Sequence, residues 1–218
     1  MKKHIVCFGD SNTHGYCADP SDSAGGGFRY QEDERWTGLL QRLLGDGVLV
    51  IEEGLSGRTT VYSDPTEEGL NGLDYLAPCL MSHQPVDLLV VMLGTNDTKS
   101  CFGASAERIA RGMERLLRRA LSTPCWGEGG CRILLAAPAP FGEEVERSPL
   151  VGPIMGPGSA EKSRALPPLY QALAHRLGCF FFDASPYAEY NPVDHMHLTR
   201  AAHARLARAL ADTVTGLV

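Results

Sequence analysis

Four short stretches of this 218-residue chain hold the residue types that acyl transfer needs. "GDS" at 9–11 places Ser11 near the start of the chain, directly behind the apolar run "HIVCF". A serine hydroxyl is a weak nucleophile until a base within hydrogen-bond reach takes its proton. "DHMH" at 194–197 offers that base in His197. Asp194, three residues earlier, is spaced to fold back on the ring, fix its tautomer and stabilise the imidazolium. "EGLSGRT" at 53–59 and "GTND" at 94–97 offer donors for a developing oxyanion. These are a bare backbone N–H at Gly57 and the side-chain amide of Asn96, and Ser11 adds its own N–H if it opens a helix. Such a donor contributes roughly 3–4 kcal/mol in the transition state.

Each piece alone also suits a plainer role. Gly-Asp-Ser and Asn96 are ordinary turn chemistry, and Asp194 with His197 also fits a cap ahead of Thr199. The order of the pieces separates the two readings, because each stands behind its own strand.

Apolar runs and amphipathic stretches alternate along the chain. Strands are expected at 4–8, 48–53, 86–93, 131–137 and 179–184. Helices are expected at 36–44, at 70–82 with an interruption at Pro78, at 105–121, and from near Thr199 onward. "VDLLVVML" at 86–93 is nearly all apolar, as a parallel strand covered on both faces requires. In 105–121, Ile109, Met113, Leu116, Leu117 and Ala120 share one face, with Arg111, Arg115 and Arg118 opposite. Ser105 is its expected N-cap, and Glu107–Arg111 and Glu114–Arg118 stand at i,i+4. In the last helix, Ala202, Leu206 and Leu210 are spaced to face the core.

This alternation predicts an α/β fold: a three-layer α/β/α sandwich with a five-stranded parallel, flavodoxin-like sheet, in one domain over residues 1–218. Ligands bind beyond the carboxyl ends of such strands, where the four polar segments would meet. Residues 17–30 read as a long loop. The proline- and glycine-rich 138–160 reads as a lid, a pocket wall or a subunit contact. Pro167-Pro168 leaves the start of the following helix open.

Composition narrows the function further. The chain is 44% hydrophobic and 21% charged, with a net charge of −6 and a pI near 5.6. That balance suits a soluble globular protein and lacks the basic patch that nucleic acid requires. "IVCF" is too short for a secretory signal core, and no run approaches the length of a membrane span. Seven cysteines without a CxxC pair suggest reduced thiols and a cytoplasmic location, with a Cys125–Cys131 bridge as the alternative.

"FGDSNTHGY", "GLSGRT", "GTND" and "DHMH" resemble the four sequence blocks of the SGNH, or GDSL-type, hydrolases. "RWTGLL", "DPTEEGLNGLDYL" and "VVMLGTNDTK" are similar to the bacterial arylesterase/acyltransferase branch. The resemblance implies Ser11 as nucleophile, His197 as base and Asp194 as its partner. It implies an oxyanion hole of Ser11 N–H, Gly57 N–H and the Asn96 side chain. It also implies a small-molecule ester as substrate, no cofactor or metal, and a homo-oligomer, in some members ring-like. Some members of the branch transfer acyl groups to alcohols or peroxide even in water.

The expected function is therefore a serine esterase acting on small aryl or short-chain acyl esters through an acyl-enzyme. A carbohydrate acetylesterase or a thioesterase would use the same machinery. A non-catalytic flavodoxin-like module binding a phosphorylated ligand would leave Asn96 and the Asp194–His197 pair without a task. An α/β-hydrolase is disfavoured because no G-x-S-x-G surrounds Ser11. A zinc site from Asp194, His195 and His197 lacks a further clustered ligand. His195 reads as a loop residue beside the pocket and His14 as a helix-surface residue. Asp97 and Thr98 are expected to hold the Asn96 loop, and Arg58 to satisfy loop carbonyls or pair with an acid. Tyr16, Trp36, Phe141 and Ile154 are candidates for an apolar acyl pocket, with core packing as the alternative for each.

Overall fold

The computed structural model describes residues 2–218. Its five strands are β1 (Lys3–Gly9), β2 (Val48–Gly54), β3 (Leu88–Met92), β4 (Ile133–Ala137) and β5 (Phe180–Asp183). All pair in parallel, in the order β2-β1-β3-β4-β5. The longer helices are α2 (Trp36–Leu44), α3 (Gly72–Ser82), α4 (Ala106–Ser122), α7 (Ser159–Leu177) and α8 (Arg200–Thr215). Three four-residue helices complete the set: α1 (Ser11–His14), α5 (Glu144–Arg147) and α6 (Gly152–Met155). The expected α/β/α architecture is the one found.

Side-chain alternation along the strands divides the core into two layers. Val6, Phe8, Leu89, Val91 and Leu135 pack under α3, α4 and α7. Ile5, Cys7, Val90, Leu134 and Ala136 pack under α2 and α8. On α4, Ile109, Met113, Leu116, Leu117 and Ala120 are fully buried, and the Ser105 hydroxyl caps the Arg108 N–H. Of the two expected i,i+4 pairs, Glu114–Arg118 forms at 2.8 Å, while Glu107 accepts from the Ser105 hydroxyl. On α8, Ala202, Leu206 and Leu210 face inward behind a Thr199 cap.

The prolines behave differently from expectation. Pro78 does not interrupt α3, and Pro167 and Pro168 lie well inside α7. Each removes an amide donor, but α7 buries Leu166, Tyr170 and Leu173 against the sheet. Three such burials of about 1.5–3 kcal/mol each are comparable with two proline penalties of about 3 kcal/mol each. Tertiary packing thus overrides the local preference. Segment 138–160, expected to be irregular, folds into α5 and α6. A small cluster of Phe141, Val145, Met155, Ala160 and Met196 joins them to the loop before α8.

The strand order reverses between β1 and β3, so their carboxyl ends splay to leave a crevice. Ser11 follows β1 there and Asn96 follows β3. Helix α1 also rests closely on β2. A Cβ on Gly54 would sit 2.2 Å from the His14 amide nitrogen and 2.5 Å from the Thr13 carbonyl carbon. Gly54→Ala is therefore expected to push α1 off β2 and lower stability by about 1–3 kcal/mol, the usual range for overpacking. Urea unfolding of the variant measures this, and an unchanged midpoint would refute the close-approach argument.

Candidate active site

Asp10 ends the turn after β1 and caps α1, its Oδ1 accepting from the Asn12 N–H at 3.0 Å. Ser11 is therefore the first helical residue, where a backbone N–H has no intrahelical acceptor. Its hydroxyl lies 2.8 Å from His197 Nε2, and His197 Nδ1 lies 2.6 Å from Asp194 Oδ2. The carboxylate accepts a hydrogen bond from Nδ1–H, which leaves Nε2 as the acceptor for the serine hydroxyl. All three side chains are buried.

Asp194 is well prepared for charge. Burial alone would raise its carboxyl, but the His197 hydrogen bond and charge, with the Met196 and His197 N–H groups, hold it down at about 2. Asn191 adds a side-chain N–H to Asp194 Oδ1 at 2.9 Å and another to the His197 carbonyl at 2.8 Å. On the other side, Asn12 Oδ1 accepts from the Leu198 N–H at 3.0 Å, tying α1 to the histidine loop. The Tyr16 ring leans on the imidazole, with centroids 4.5 Å apart.

The donor side is assembled from two further strand ends. Gly57 has φ 84°, a left-handed conformation that only glycine adopts without strain. The Asn96 amide donates to the Arg58 carbonyl at 3.1 Å, which fixes the plane of its remaining N–H. Arg58 itself donates to the Gly9 carbonyl at 3.1 Å and to the Glu53 carbonyl, and stacks over Phe8 at 4.3 Å. Asp97 braces the Asn96 turn by accepting from the Thr60 N–H at 2.9 Å and from the Thr60 hydroxyl. Thr98 closes the turn on the Thr95 carbonyl at 2.7 Å. Arg58, Asp97 and Thr98 thus sit as expected.

Ser11, Gly57, Asn96, Asp194 and His197 all line one open cleft of about 370 Å³. Leu150, Val151, Ile154, Met155 and Met196 form an apolar wall, and Ser56, Glu67 and Lys99 a polar one. Segment 138–160 therefore supplies a pocket wall. Of the four acyl-pocket candidates, Tyr16 and Ile154 line the cleft, whereas Trp36 and Phe141 are core. Trp36 donates its indole N–H to the Asn12 carbonyl at 3.1 Å instead. His195 is a loop residue as expected, with φ 62°, but is not among the residues lining this cleft, and His14 ends α1 away from it.

Sequence reasoning passed over Asn12, Asn191, Glu67 and Lys99. Asn191 carried a readable signal, since "NPVD" is the pattern of an asparagine-led turn. The others depend on chain segments far away in sequence. Lys99, for example, pairs with Asp64 at 3.5 Å, with both side chains buried.

The arrangement is a parallel α/β fold with Ser11 just behind its first strand. The sequence pattern of the GDSL-like Lipase/Acylhydrolase family matches residues 7–205, and the chain belongs to that family. It is a carboxylic ester hydrolase, a serine esterase acting on small esters. The structure is similar to that of a carbohydrate acetylesterase from Sinorhizobium meliloti (TM-score 0.86, 38% identity, 100% of both chains). It is equally similar to the aryl esterase of M. smegmatis (TM-score 0.87, 38% identity, 99% of this chain and 100% of that one). A carbohydrate acetylesterase family member from Sinorhizobium meliloti gives 0.86 and 35% over 99% and 98%. No curated protein matches the chain.

Two buried carboxyls flank the site with the opposite bias to Asp194. Burial pushes Asp10 up to about 6 against the pull of the Asn12 N–H and the His197 charge. Burial likewise pushes Asp97 up to about 6 despite its bonds to Thr60. A carboxyl that ionises later when folded than when unfolded makes stability fall as pH rises between the two values. His203, held down at about 3 by burial, acts in the opposite sense over the same window, so the prediction is a difference. Asp97→Asn is expected to gain stability relative to the parent as pH rises from about 4 to about 6. Denaturant titrations of both proteins across that range check it, and a constant difference would show that Asp97 does not titrate there.

Proposed function

We propose that Ser11, His197 and Asp194 carry the esterase chemistry, with Ser11 N–H, Gly57 N–H and the Asn96 amide as the oxyanion hole. The observation that supports this most is the continuous hydrogen-bond line from the Ser11 hydroxyl through His197 to Asp194, at 2.8 and 2.6 Å. Ser11 Oγ bonds to the ester carbonyl carbon while its proton passes to His197 Nε2. The carbonyl oxygen becomes an oxyanion facing the three donors. Collapse breaks the bond to the alcohol oxygen, which leaves with the proton from Nε2. Water then repeats the sequence on the acyl-enzyme and releases the acid.

The cleft walls suggest how the two halves of the substrate divide. The acyl group lies against Leu150, Val151, Ile154, Met155 and Met196, and the alcohol against Ser56, Glu67 and Lys99. Short acyl chains, acetyl first among them, are the proposed acyl donors, with aryl or alkyl alcohols as leaving groups. A second reading makes the alcohol a carbohydrate. The polar wall favours it, as does the 38% identity to a carbohydrate acetylesterase over the full length. Transfer to an added alcohol is part of the proposal, because the apolar mouth formed by Leu150 and Ile154 would hold an alcohol better than water. The same exposed residues, 57% and 54% accessible, would be covered in a homo-oligomer. We read residues 1–218 as one domain. All seven cysteines are free, which favours a cytoplasmic setting. No helix among the described residues is long and apolar enough to cross a membrane.

Ser11→Ala is expected to lower kcat on p-nitrophenyl acetate by several orders of magnitude and to abolish fluorophosphonate labelling, with folding intact. Asn96→Ala is expected to lower kcat roughly 10²–10³-fold with little change in KM. Turnover by the Ser11 variant close to that of the parent would remove this serine from the mechanism. A panel of p-nitrophenyl esters of graded length and acetylated sugars, run with and without alcohol, separates the aryl, carbohydrate and transferase readings.

A further inference from the structure

One group of side chains outside the cleft has no task in ester hydrolysis. Glu53 stands near the end of β2, and Cys79 and His83 stand one helical turn apart where α3 ends. Spacing of i,i+4 puts the thiol and the imidazole on the same helix face, and that face turns towards β2. A carboxylate oxygen of Glu53, Cys79 Sγ and an imidazole nitrogen of His83 all lie within 4.8 Å of one another. The closest approach is 2.8 Å, between Glu53 Oε1 and His83 Nε2. Cys79 is buried, while the Glu53 and His83 side chains are 16% and 30% exposed, so the group is reachable from one side.

We propose that Glu53, Cys79 and His83 form a binding site for a single Zn²⁺ ion, with water in the fourth position. One thiolate, one imidazole and one carboxylate are a ligand set that zinc accepts, at bond lengths of about 2.0–2.3 Å. Tetrahedral ligands at those lengths stand about 3.3–3.6 Å apart. The Glu53–His83 contact must therefore open slightly and the wider pairs contract by no more than about 1.5 Å, which side-chain rotation supplies. The His83 position is well anchored, because its backbone N–H closes the helix on the Cys79 and Leu80 carbonyls. Binding releases the Cys79 proton to solvent and exchanges the Glu53–His83 hydrogen bond for two metal bonds. Thiolate and carboxylate together balance the two positive charges of the ion.

The approach to the site has the right sign. Glu53 also lines an open cleft of about 790 Å³ together with Asp64, Glu67, Glu68 and Asp74, and Arg58 is the cation in that lining. An excess of carboxylates over cations in a cleft lining concentrates divalent cations at its wall. Arg58 is held by the Gly9 and Glu53 carbonyls and by the Phe8 ring, so its guanidinium is committed elsewhere. None of the three proposed ligands is among the groups placed in the esterase machinery.

The test uses the full chain carrying C101S and C131S, which remove the two exposed thiols. The protein is stripped with a chelator, then titrated with Zn²⁺ by calorimetry and with Co²⁺ by absorption. The expected result is one equivalent bound, with a thiolate-to-cobalt charge-transfer band in the near ultraviolet that C79S removes. Loss of an outer partner of a metal ligand already lowers affinity about 10–100-fold, so H83Q, which removes a direct ligand, is expected to lower it at least tenfold. H83Q changes a partly exposed helix end, so its result stands even if C79S disturbs packing. Absence of saturable binding, or binding that neither C79S nor H83Q alters, would overturn the proposal. So would binding lost only when Glu67 and Glu68 are neutralised, which would place the ion in the acidic cleft.

Discussion

The hydrogen bond between the Ser11 hydroxyl and His197 joins residues 186 positions apart, and the rest of the site is organised around keeping it. A single hydrogen bond contributes only about 1 kcal/mol net, far too little to close a loop of that length by itself. The sheet and its helices do the closing. Strand β1 runs between β2 and β3, so the position of Ser11 is set by pairing on both sides. The histidine loop is brought to it by α8, which packs with α2 on the same core layer. Asn12 and Tyr30 then lock the loop locally, through the Leu198 N–H at 3.0 Å and the Leu198 carbonyl at 3.2 Å.

Three buried aspartates around this bond show how local donors decide charge. Asp194 meets an imidazole, two backbone N–H groups and the Asn191 amide, and is held at about 2. Asp97 is served chiefly by the Thr60 groups, and Asp10 has one oxygen, Oδ2, without a partner. Burial wins at both, and both sit at about 6. The carboxylate paired with the imidazole is the one given a full set of donors. The two that shape the Ser11 turn and the Asn96 turn are left poorly solvated, a local cost carried by the surrounding fold.

The cleft is asymmetric for a related reason. Its chemical end comes from strand ends and tight turns, where backbone position is strongly constrained. Its walls come from the connecting segments: the stretch Leu150–Met155, which includes the short α6, and the turns after β2 and β3. Members of one family can therefore keep the first and vary the second.

Much of this was legible in the residues alone. The five strands, the buried face of α4, its cap at Ser105 and the meeting of Ser11, Gly57, Asn96, Asp194 and His197 in one cleft follow from periodicity, turn chemistry and motif order. All of these are set within a few neighbouring residues, which is why a linear chain displays them. The course of α7 through Pro167 and Pro168 was not legible, because burial of Leu166, Tyr170 and Leu173 outweighs what the prolines do locally. Nor was the sorting of Tyr16 and Ile154 into the cleft and Trp36 and Phe141 into the core. The same holds for the clamp by Asn12, the support from Asn191 and the meeting of Glu53 with Cys79 and His83. Those outcomes depend on which face of one layer meets which face of another, and only the packed molecule decides that.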